Sequence, residues 1–462
     1  MRPGTSLARR LVTMTLGVAI GIIAGLASIT LAAADRVEPA QPAVFDATHL
    51  PPLLTVSGEP VELAYDVHCV PGDDAEAEAG CDVRGAVFVR SAGRGQYERH
   101  ELEIRTADGS RQLFARVADG LAGQPDGFEY YAVIEAPALA QRLTVPAGGA
   151  DAPHVSRRLK RPVEVALGRH VFGSHQRAGA RIAFASWGDG ATQAGLEQGR
   201  ELGVTGPSAF DVDAAGTLTV LDQAHRRLLH WRKDAHAPTR TPISVMGTIA
   251  DIAVGNDGTT YVLESTAAEP ARNALVKQFD DTGRELEAIE TAERTSSQIR
   301  MAPGGPLVLS HPSHHWAPVA LDGVPASPEA QLRRGRVGRR LRSGGEIVVF
   351  RRANELRLAT ISDPGMSRSW RLTSTTQLGE VQLAEPLGER VVVVARMYDD
   401  DVDEFAVLVL DRMGLADRFT LDAADWAETA PLSRFRLVGT SLYRLGSTAA
   451  GAFVDRFDLE VR

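Results

Sequence analysis

Short runs in which apolar and polar residues alternate fill the chain from about residue 55 to residue 145. Residues 61–67 (VELAYDV), 85–90 (GAVFVR), 113–117 (LFARV) and 128–134 (FEYYAVI) are examples. Alternation with a period of two is typical of β-strands, and the Gly, Pro, Asp and Ser clusters between these runs are typical of turns. The pattern therefore predicts an all-β fold.

About ninety residues of this kind favour a small β-sandwich of the immunoglobulin or fibronectin type over residues 55–147. Residues 148–180 carry Gly, Ala, Pro and a basic cluster and are predicted to form a linker. The cluster is interpreted as solvated surface, with binding to a polyanion or a membrane left as the alternative.

An internal repeat is the strongest signal in the second half. Ser208 to Gln223 aligns without gaps to Ala250 to Ser265, at an offset of 42 residues and with five of sixteen positions identical. A glycine followed by an apolar strand recurs at successive spacings of 42, 47, 40, 43 and 51, at Gly216, Gly258, Gly305, Gly345, Gly388 and Gly439. A period of ~40 to 50 residues with several strands per unit predicts the blades of a β-propeller.

Residues 206–231, GPSAFDVDAAGTLTVLDQAHRRLLHW, resemble one NHL repeat, although His225 stands where Asn is usual. The second unit is similar to the same repeat in fewer positions. The matches are Pro207, Val212, Asp213, Gly216, Val220, Asp222 and Arg227 in the first unit, and Val254, Asp257, Gly258, Val262 and Glu264 in the second. The resemblance implies a propeller that belongs to the NHL-repeat proteins.

The six glycine turns predict six blades over residues 181–462. The ring is expected to close by pairing of the last strand, around Phe457 and Leu459, with the strand that contains Ile182 and Phe184, because this pairing hides both terminal edges. Two stacked sandwiches are the alternative fold.

The N-terminus indicates export. Arg9 and Arg10 precede a stretch of 24 uncharged residues from Leu11 to Ala34, which ends in small residues suited to signal cleavage. Because ~20 apolar residues span a bilayer, an uncleaved anchor is the alternative. Residues 1–34 are thus predicted to be a signal peptide or anchor and residues 35–54 a linker, and the protein is expected to be extracellular or on the cell surface.

The two cysteines, Cys69 and Cys81, lie twelve positions apart around a turn-rich acidic segment. In an oxidising compartment such a pair is expected to form a disulfide. A reactive or metal-binding pair is the less favoured interpretation, since the chain has no C-x-x-C motif.

Charge argues against nucleic acid as a partner. The formal net charge is -9, and the 50 basic residues, only three of them lysine, are scattered along the chain. A nucleic-acid-binding protein usually presents a basic face. G-x-S-x-G, H-E-x-x-H and phosphate-loop motifs are also absent from the sequence.

Two loops have a composition suited to a site. His311, His314, His315 and Trp316 bring imidazoles beside an indole, which suits a ligand or a transition metal. Asp399, Asp400 and Asp401 bring carboxylates together, which suits a divalent metal such as calcium. A polar loop and a solvated hairpin tip are the alternative interpretations.

These observations favour an exported, non-catalytic binding or scaffold protein that presents a propeller loop face to a protein or glycan partner. A propeller-type hydrolase or lyase with a metal at the channel mouth is the second hypothesis. A membrane-anchored sensor ectodomain is the third. Convergence of carboxylates and histidines from different blades at the channel would separate them.

Overall fold

The fold was analysed in a computed structural model. It describes residues 44–70, 82–107, 110–198, 203–245, 248–265, 273–292, 295–302, 304–311, 315–321, 324–327, 331, 336–337, 339–340, 346–362, 365–427 and 434–459. The predicted signal segment, Cys81, His314 and Gly345 lie outside these residues. Within them, no helix is long and apolar enough to cross a membrane.

The N-terminal module consists of two sheets around one apolar core. Its strands are β1 (Val44–His49), β2 (Leu54–Thr55), β3 (Glu62–Val70), β4 (Arg84–Ser91), β5 (Glu98–Glu101), β6 (Glu103–Ala107), β7 (Ser110–Arg116), β8 (Phe128–Ala136), β9 (Gln141–Val145) and β10 (His154–Arg158). The first sheet has the order β1-β3-β7-β6, and the second has the order β2-β10-β8-β4-β5 with β9 also paired to β8. Alternate residues of the central strands, such as Leu63, Tyr65, Leu113, Tyr130 and Ile134, form the core between the sheets. One short helix, α1 (Asp119–Ala122), precedes β8.

The rest of the described chain is also composed of strands. They are β11 (Val163–Gly168), β12 (Ala180–Ser186), β13 (Glu197–Gln198), β14 (Val204–Thr205), β15 (Ala209–Val212), β16 (Leu218–Asp222), β17 (Arg227–Trp231), β18 (Thr239–Pro242), β19 (Thr248–Val254), β20 (Thr260–Ser265), β21 (Leu275–Phe279), β22 (Glu285–Glu290), β23 (Thr295–Ala302), β24 (Gly305–His311), β25 (His315–Pro318), β26 (Ala320–Leu321), β27 (Val324–Pro325), β28 (Arg336–Val337), β29 (Arg339–Arg340), β30 (Glu346–Arg352), β31 (Glu355–Ser362), β32 (Gly365–Ser374), β33 (Gln377–Leu387), β34 (Arg390–Asp399), β35 (Val402–Asp411), β36 (Gly414–Asp422), β37 (Phe435–Val438), β38 (Ser441–Thr448) and β39 (Gly451–Asp458). The 3-10 turns are Pro137–Leu139, Gly149–Asp151 and Gln223–His225.

These strands form six sheets of four or five strands, here named I to VI in chain order, and two additional strand pairs. Sheet I is β15-β16-β17-β18, sheet II is β19-β20-β21-β22, sheet III is β23-β24-β25-β28, sheet IV is β11-β32-β31-β30-β29, sheet V is β33-β34-β35-β36, and sheet VI is β12-β39-β38-β37. In each sheet one strand lies toward the centre and is here called its first strand; these are β15, β19, β23, β30, β33 and β37 in sheets I to VI. Among them, β19 contacts β15 and β23, β33 contacts β30 and β37, and β37 contacts β15. The chain is therefore an all-β propeller whose first strands surround the centre.

The predicted ring closure is confirmed. Strand β12 pairs antiparallel with β39, so that Phe184 lies opposite Phe453 and Arg181 opposite Asp455. Phe457 and Leu459 are buried in the apolar cluster that joins sheets V and VI. Sheet VI thus joins β12 to β39, the last described strand, and β39 has a partner strand on both sides.

The predicted glycine turns are also found, except in one sheet, where another residue forms the turn. Five of the six glycines have positive φ and join the first two strands of a sheet, in sheets I, II, III, V and VI. In sheet IV this turn falls at Ala353, with φ of 48°, and not at Gly345, which precedes the first strand of the sheet. A non-glycine residue can occupy a left-handed turn, so the glycine pattern missed this one.

The segment predicted to be a linker, residues 148–180, contributes strands to both modules. Strand β10 pairs with β8 of the N-terminal module, and β11 lies parallel to β32 as the fifth strand of sheet IV. Beyond β11, Gly173 N and the Gln176 side chain donate to Glu404 of sheet V at 2.8 and 3.1 Å. This part of the chain is therefore hydrogen-bonded to two propeller sheets.

The N-terminal module packs on sheet IV. Leu53 and Leu54 share an apolar cluster with Val348 of β30 and Ala359 of β31. The buried Arg357 side chain donates to the carbonyl oxygen of Leu54 at 2.9 Å. The segment between β1 and β2 is thereby positioned against the propeller, which matters for the cavity described next.

Candidate functional site

A network of buried charges lies at the centre of the ring. Asp251, on the first strand of sheet II, is fully buried and accepts hydrogen bonds from Arg300 of sheet III and Arg436 of sheet VI. The backbone N–H groups of Ile252 and Ile299 donate to the same carboxylate at 2.9 and 3.0 Å. Four donors therefore satisfy this carboxylate, and three sheets are joined through one side chain.

Two further carboxylates extend the network. Asp211 of sheet I lies 3.5 Å from Arg436 Nε, and Glu385 of sheet V lies 3.7 Å from Arg300 Nε. Burial raises the pKa of Asp211, while Arg436 opposes that shift. Burial and the neighbouring Arg300 lower the pKa of Arg436. Two arginines and three carboxylates from five sheets thus converge at the centre, and each arginine lies against two of the carboxylates.

Beside this network a cavity of about 270 Å³ separates the first strands of sheets III and IV. Gln298, Arg300, Leu309 and Trp316 of sheet III line one side. Residues 347 and 349–351 of sheet IV and residues 380–385 of sheet V line another side, and Leu50, Pro51 and Leu53 of the N-terminal module complete the wall. The cavity is therefore mainly apolar, with a polar inner end at the charge network.

One residue of the cavity wall, Gln382, lies at an irregular point of its strand. Gln382 is the extra residue of a β-bulge in β33, since Val381 pairs with Ala395 and Leu383 with Val394. The residue is 4% exposed, and its Oε1 atom is enclosed and accepts no hydrogen bond from the described residues. Bulges are common next to functional sites, where they redirect the local side chains, so this irregular part of β33 adds to the interest of the cavity.

Of the predicted histidine and tryptophan cluster, the structure describes the side chain of Trp316 and only the backbone of His311 and His315. Trp316 is on β25, opposite Leu309, where it is 8% exposed and lines the cavity. His311 ends β24 and His315 begins β25, but only their backbone is described. Ligand binding by these residues stays a prediction, and Trp316 is the residue that the geometry brings to the candidate site.

The predicted acidic metal loop is an exposed hairpin tip. Asp399 pairs with Val402 across a two-residue turn formed by Asp400 and Asp401. The next carboxylate, Asp403, forms an ion pair with Arg396. Within the described ranges, no group of three or more His, Cys, Asp or Glu side chains is arranged to hold a metal ion. Calcium binding at this tip remains a prediction.

Cys69 lies on β3, opposite Phe45, and packs against the core of the N-terminal module. Its proposed partner Cys81 is outside the described residues, so the disulfide remains a prediction.

Sequence reasoning did not find the charge network or Gln382. No repeat position or motif links Asp251 to Arg300 and Arg436, which are 49 and 185 residues away.

Comparison with known proteins finds only a weak likeness between this chain and solved structures. No protein-family model and no curated protein matches the chain. Among solved structures, virginiamycin B lyase from Staphylococcus aureus is 10% identical, with a TM-score of 0.32 over 55% of this chain and 96% of that one. YCF48 bound to D1 peptide is 10% identical, with a TM-score of 0.31 over 60% and 98%. The propeller domain of Myceliophteria thermophila Cps50 (Swd1) is 9% identical, with a TM-score of 0.27 over 56% and 98%. Likeness at this level assigns no function to this chain.

Proposed function

We propose that this protein is a non-catalytic binding protein that holds a small molecule in the cavity between sheets III and IV. The observation that carries this proposal is the cavity itself, whose wall is mainly apolar and is completed at one end by polar residues such as Gln298, Arg300 and Glu385. Ligand sites in proteins are mostly apolar, with a small number of polar groups that orient the ligand. The cavity has this composition.

The charge network favours binding over catalysis. Asp251 accepts four hydrogen bonds, two of them from arginines, and both of its oxygens are therefore occupied. A general base or a metal-binding carboxylate needs an oxygen that can reach a substrate or an ion. We infer that this carboxylate joins sheets II, III and VI and does not act on a substrate, which disfavours the hydrolase or lyase hypothesis.

Further parts of the proposal rest on the sequence. We propose that sheets I to VI are six blades of NHL-repeat type and that the N-terminal module is an immunoglobulin-like sandwich. We also propose that the protein is exported and that it engages a protein partner through the propeller loops. YCF48, a propeller of weak likeness, was solved with a bound peptide. The two modules would then form one binding unit, because the N-terminal module contributes to the cavity wall.

The test is a fragment screen against the full-length exported protein by thermal shift and ligand-observed NMR. Every hit is repeated on Ala384→Phe, which places a ring in the cavity at a lining position. The matched control is Gln377→Leu, an exposed position on the same strand as Gln382. Cavity ligands should bind the wild type and the control but not Ala384→Phe.

A screen in which no hit depends on residue 384 would overturn the proposed function. Folding of the Ala384→Phe protein is checked by circular dichroism. If this variant does not fold, Val349→Phe replaces it, since that residue lines the opposite side of the cavity.

A further inference from the structure

One histidine of sheet I is placed between two carboxylates. His225 lies in the 3-10 turn that joins β16 to β17. Its Nδ1 atom lies 2.8 Å from Asp222 Oδ2, and its Nε2 atom lies 3.0 Å from Asp189 Oδ1. The Asp222 side chain is fully buried, whereas the Asp189 side chain is fully exposed. The imidazole therefore connects the interior of sheet I to a surface loop, residues 187–195, which follows β12.

The two contacts require a charged ring. An ionised carboxylate only accepts hydrogen bonds, and a neutral imidazole has a single N–H group, so the neutral ring can donate to one carboxylate and not to both. Its other nitrogen would then direct a lone pair at a negatively charged oxygen. Only the imidazolium form donates from both nitrogens. The geometry of this site is therefore that of a protonated His225.

The groups around the ring favour the same form. Burial alone would lower the pKa of His225, but the hydrogen bonds to Asp222 and Asp189 outweigh burial, and the pKa is raised from 6.5 although Arg227 opposes the shift. A group whose pKa is higher in the folded protein than in the unfolded chain stabilises the fold at low pH. This stabilisation is complete below pH 6.5 and is lost as the pH rises through the folded-state pKa of His225.

The loop that carries Asp189 is also attached to sheet I by contacts that do not titrate with His225. Gly195 N donates to Asp222 Oδ1 at 3.1 Å, and Arg227 donates to two carbonyl oxygens of the loop at 3.1 and 2.6 Å. The guanidinium group stays charged over the whole physiological range. Loss of the imidazole proton therefore releases the outer contact of the loop, at Asp189, and leaves its inner contacts in place.

The same loop holds an aromatic pair at the surface. Trp187 Nε1 donates to the carbonyl oxygen of Thr448 at 2.9 Å, and the indole lies on that of Trp426 with the ring centroids 5.7 Å apart. Trp426 is 46% exposed. Because Trp187 begins the loop, the attachment of the loop to sheet I determines how firmly this exposed pair is held.

From these contacts we propose that residues 187–195 form a pH-responsive latch, which is closed when protonated His225 holds Asp189 and is loosened when the imidazole is neutral. The latch is separate from ligand binding in the cavity and does not depend on it. Below pH 6.5 it fixes Trp187 against Trp426, and at alkaline pH the pair is held less firmly.

Hydrogen exchange of the full-length protein tests the latch. The exchange rates of residues 187–195 are measured by mass spectrometry between pH 6 and pH 9 and divided by the intrinsic rates at each pH. Protection should fall about 2- to 5-fold over this range, the size expected for the loss of one surface ion pair. In Asp189→Asn, protection should already be reduced at pH 6 and should change less with pH. Asp399→Asn makes the same change at an exposed hairpin tip and should behave like the wild type.

An NMR titration of the His225 ring gives an independent measurement, with the signal assigned by its absence in His225→Gln. The midpoint should lie above 6.5 in the wild type and should be lower in Asp189→Asn. A wild-type midpoint at or below 6.5 would rule out the latch. Protection of residues 187–195 that depends on pH equally in the wild type and in Asp189→Asn would rule it out as well.

Discussion

Replacement of Asp251 by Asn should strongly destabilise the propeller. The carboxylate is fully buried and is hydrogen-bonded to two guanidinium groups whose residues are 5% and 2% exposed. The substitution keeps the shape but removes the charge, and it turns an amide N–H₂ group toward one arginine. Breaking a buried ion pair by removing one partner costs about 3–5 kcal/mol. At about 2 °C per kcal/mol for a unit of this size, the melting temperature should fall by about 6–10 °C.

The assay is thermal and urea unfolding followed by circular dichroism at neutral pH. Asp399→Asn is the matched control, because it makes the same chemical change at an exposed hairpin tip and should alter stability by less than about 0.5 kcal/mol. Adding Arg436→Met to Asp251→Asn removes a guanidinium group that has lost one of its two carboxylate partners, so the double variant should lose less stability than the sum of the single losses. A melting temperature of Asp251→Asn within 2 °C of the wild type would refute the view that this network holds sheets II, III and VI together.

Three further predictions concern other parts of the fold. Burial lowers the pKa of His49 from 6.5 to about 4, so the free energy of unfolding of the N-terminal module should fall by about 3 kcal/mol as the pH falls from 6.5 to 4. Urea midpoints measured across that range should show this loss in the wild type and not in His49→Gln. Equal slopes of the midpoint against pH in the two proteins would contradict the prediction. Truncation after Asp455 removes Phe457 and Leu459 from the apolar cluster between sheets V and VI. Scanning calorimetry should then show loss of the cooperative unfolding transition of the propeller. An unchanged transition would argue against closure of the ring through β39. Intact-mass analysis of exported protein before and after reduction should show a chain that begins near Asp35 with a bond between Cys69 and Cys81, and two free thiols would reject the bond.

The prediction for His49 depends on a defined tautomer. His49 Nδ1 lies 2.6 Å from the carbonyl oxygen of Ala64, which can only accept, so Nδ1 carries the proton. Nε2 then accepts from the Tyr130 hydroxyl at 2.8 Å. A second proton, on Nε2, would bring a charge into the buried core and would force the Tyr130 hydroxyl to accept a hydrogen bond where it now donates one. Protonation therefore occurs in the unfolded chain at a higher pH than in the folded one, which gives the pH dependence its sign.

The sequence predicted the strands, the turn glycines and the closure of the ring because these features are local or terminal. Period-two alternation and left-handed glycines are visible within a few residues, and the first and last strands of a ring have one sensible partner. The candidate site is not local. Asp251, Arg300 and Arg436 meet only once three sheets are placed around the centre. Gln382 was missed because one extra residue in a strand does not disturb the alternation enough to be recognised.

The order of synthesis has a consequence for how this chain reaches its native state. Strand β12 finds its partner β39 only after nearly the whole polypeptide has been made, and β11 waits for β32, about 200 residues downstream. Both segments are therefore without their native partners while the intervening sheets form, and pairing over such separations is slow and leaves strands available to other chains. The N-terminal strands β1 to β10 pair only among themselves, and their core can assemble first. We expect the propeller to be the slow-folding part of the molecule and the part most dependent on chaperones while the chain is being made.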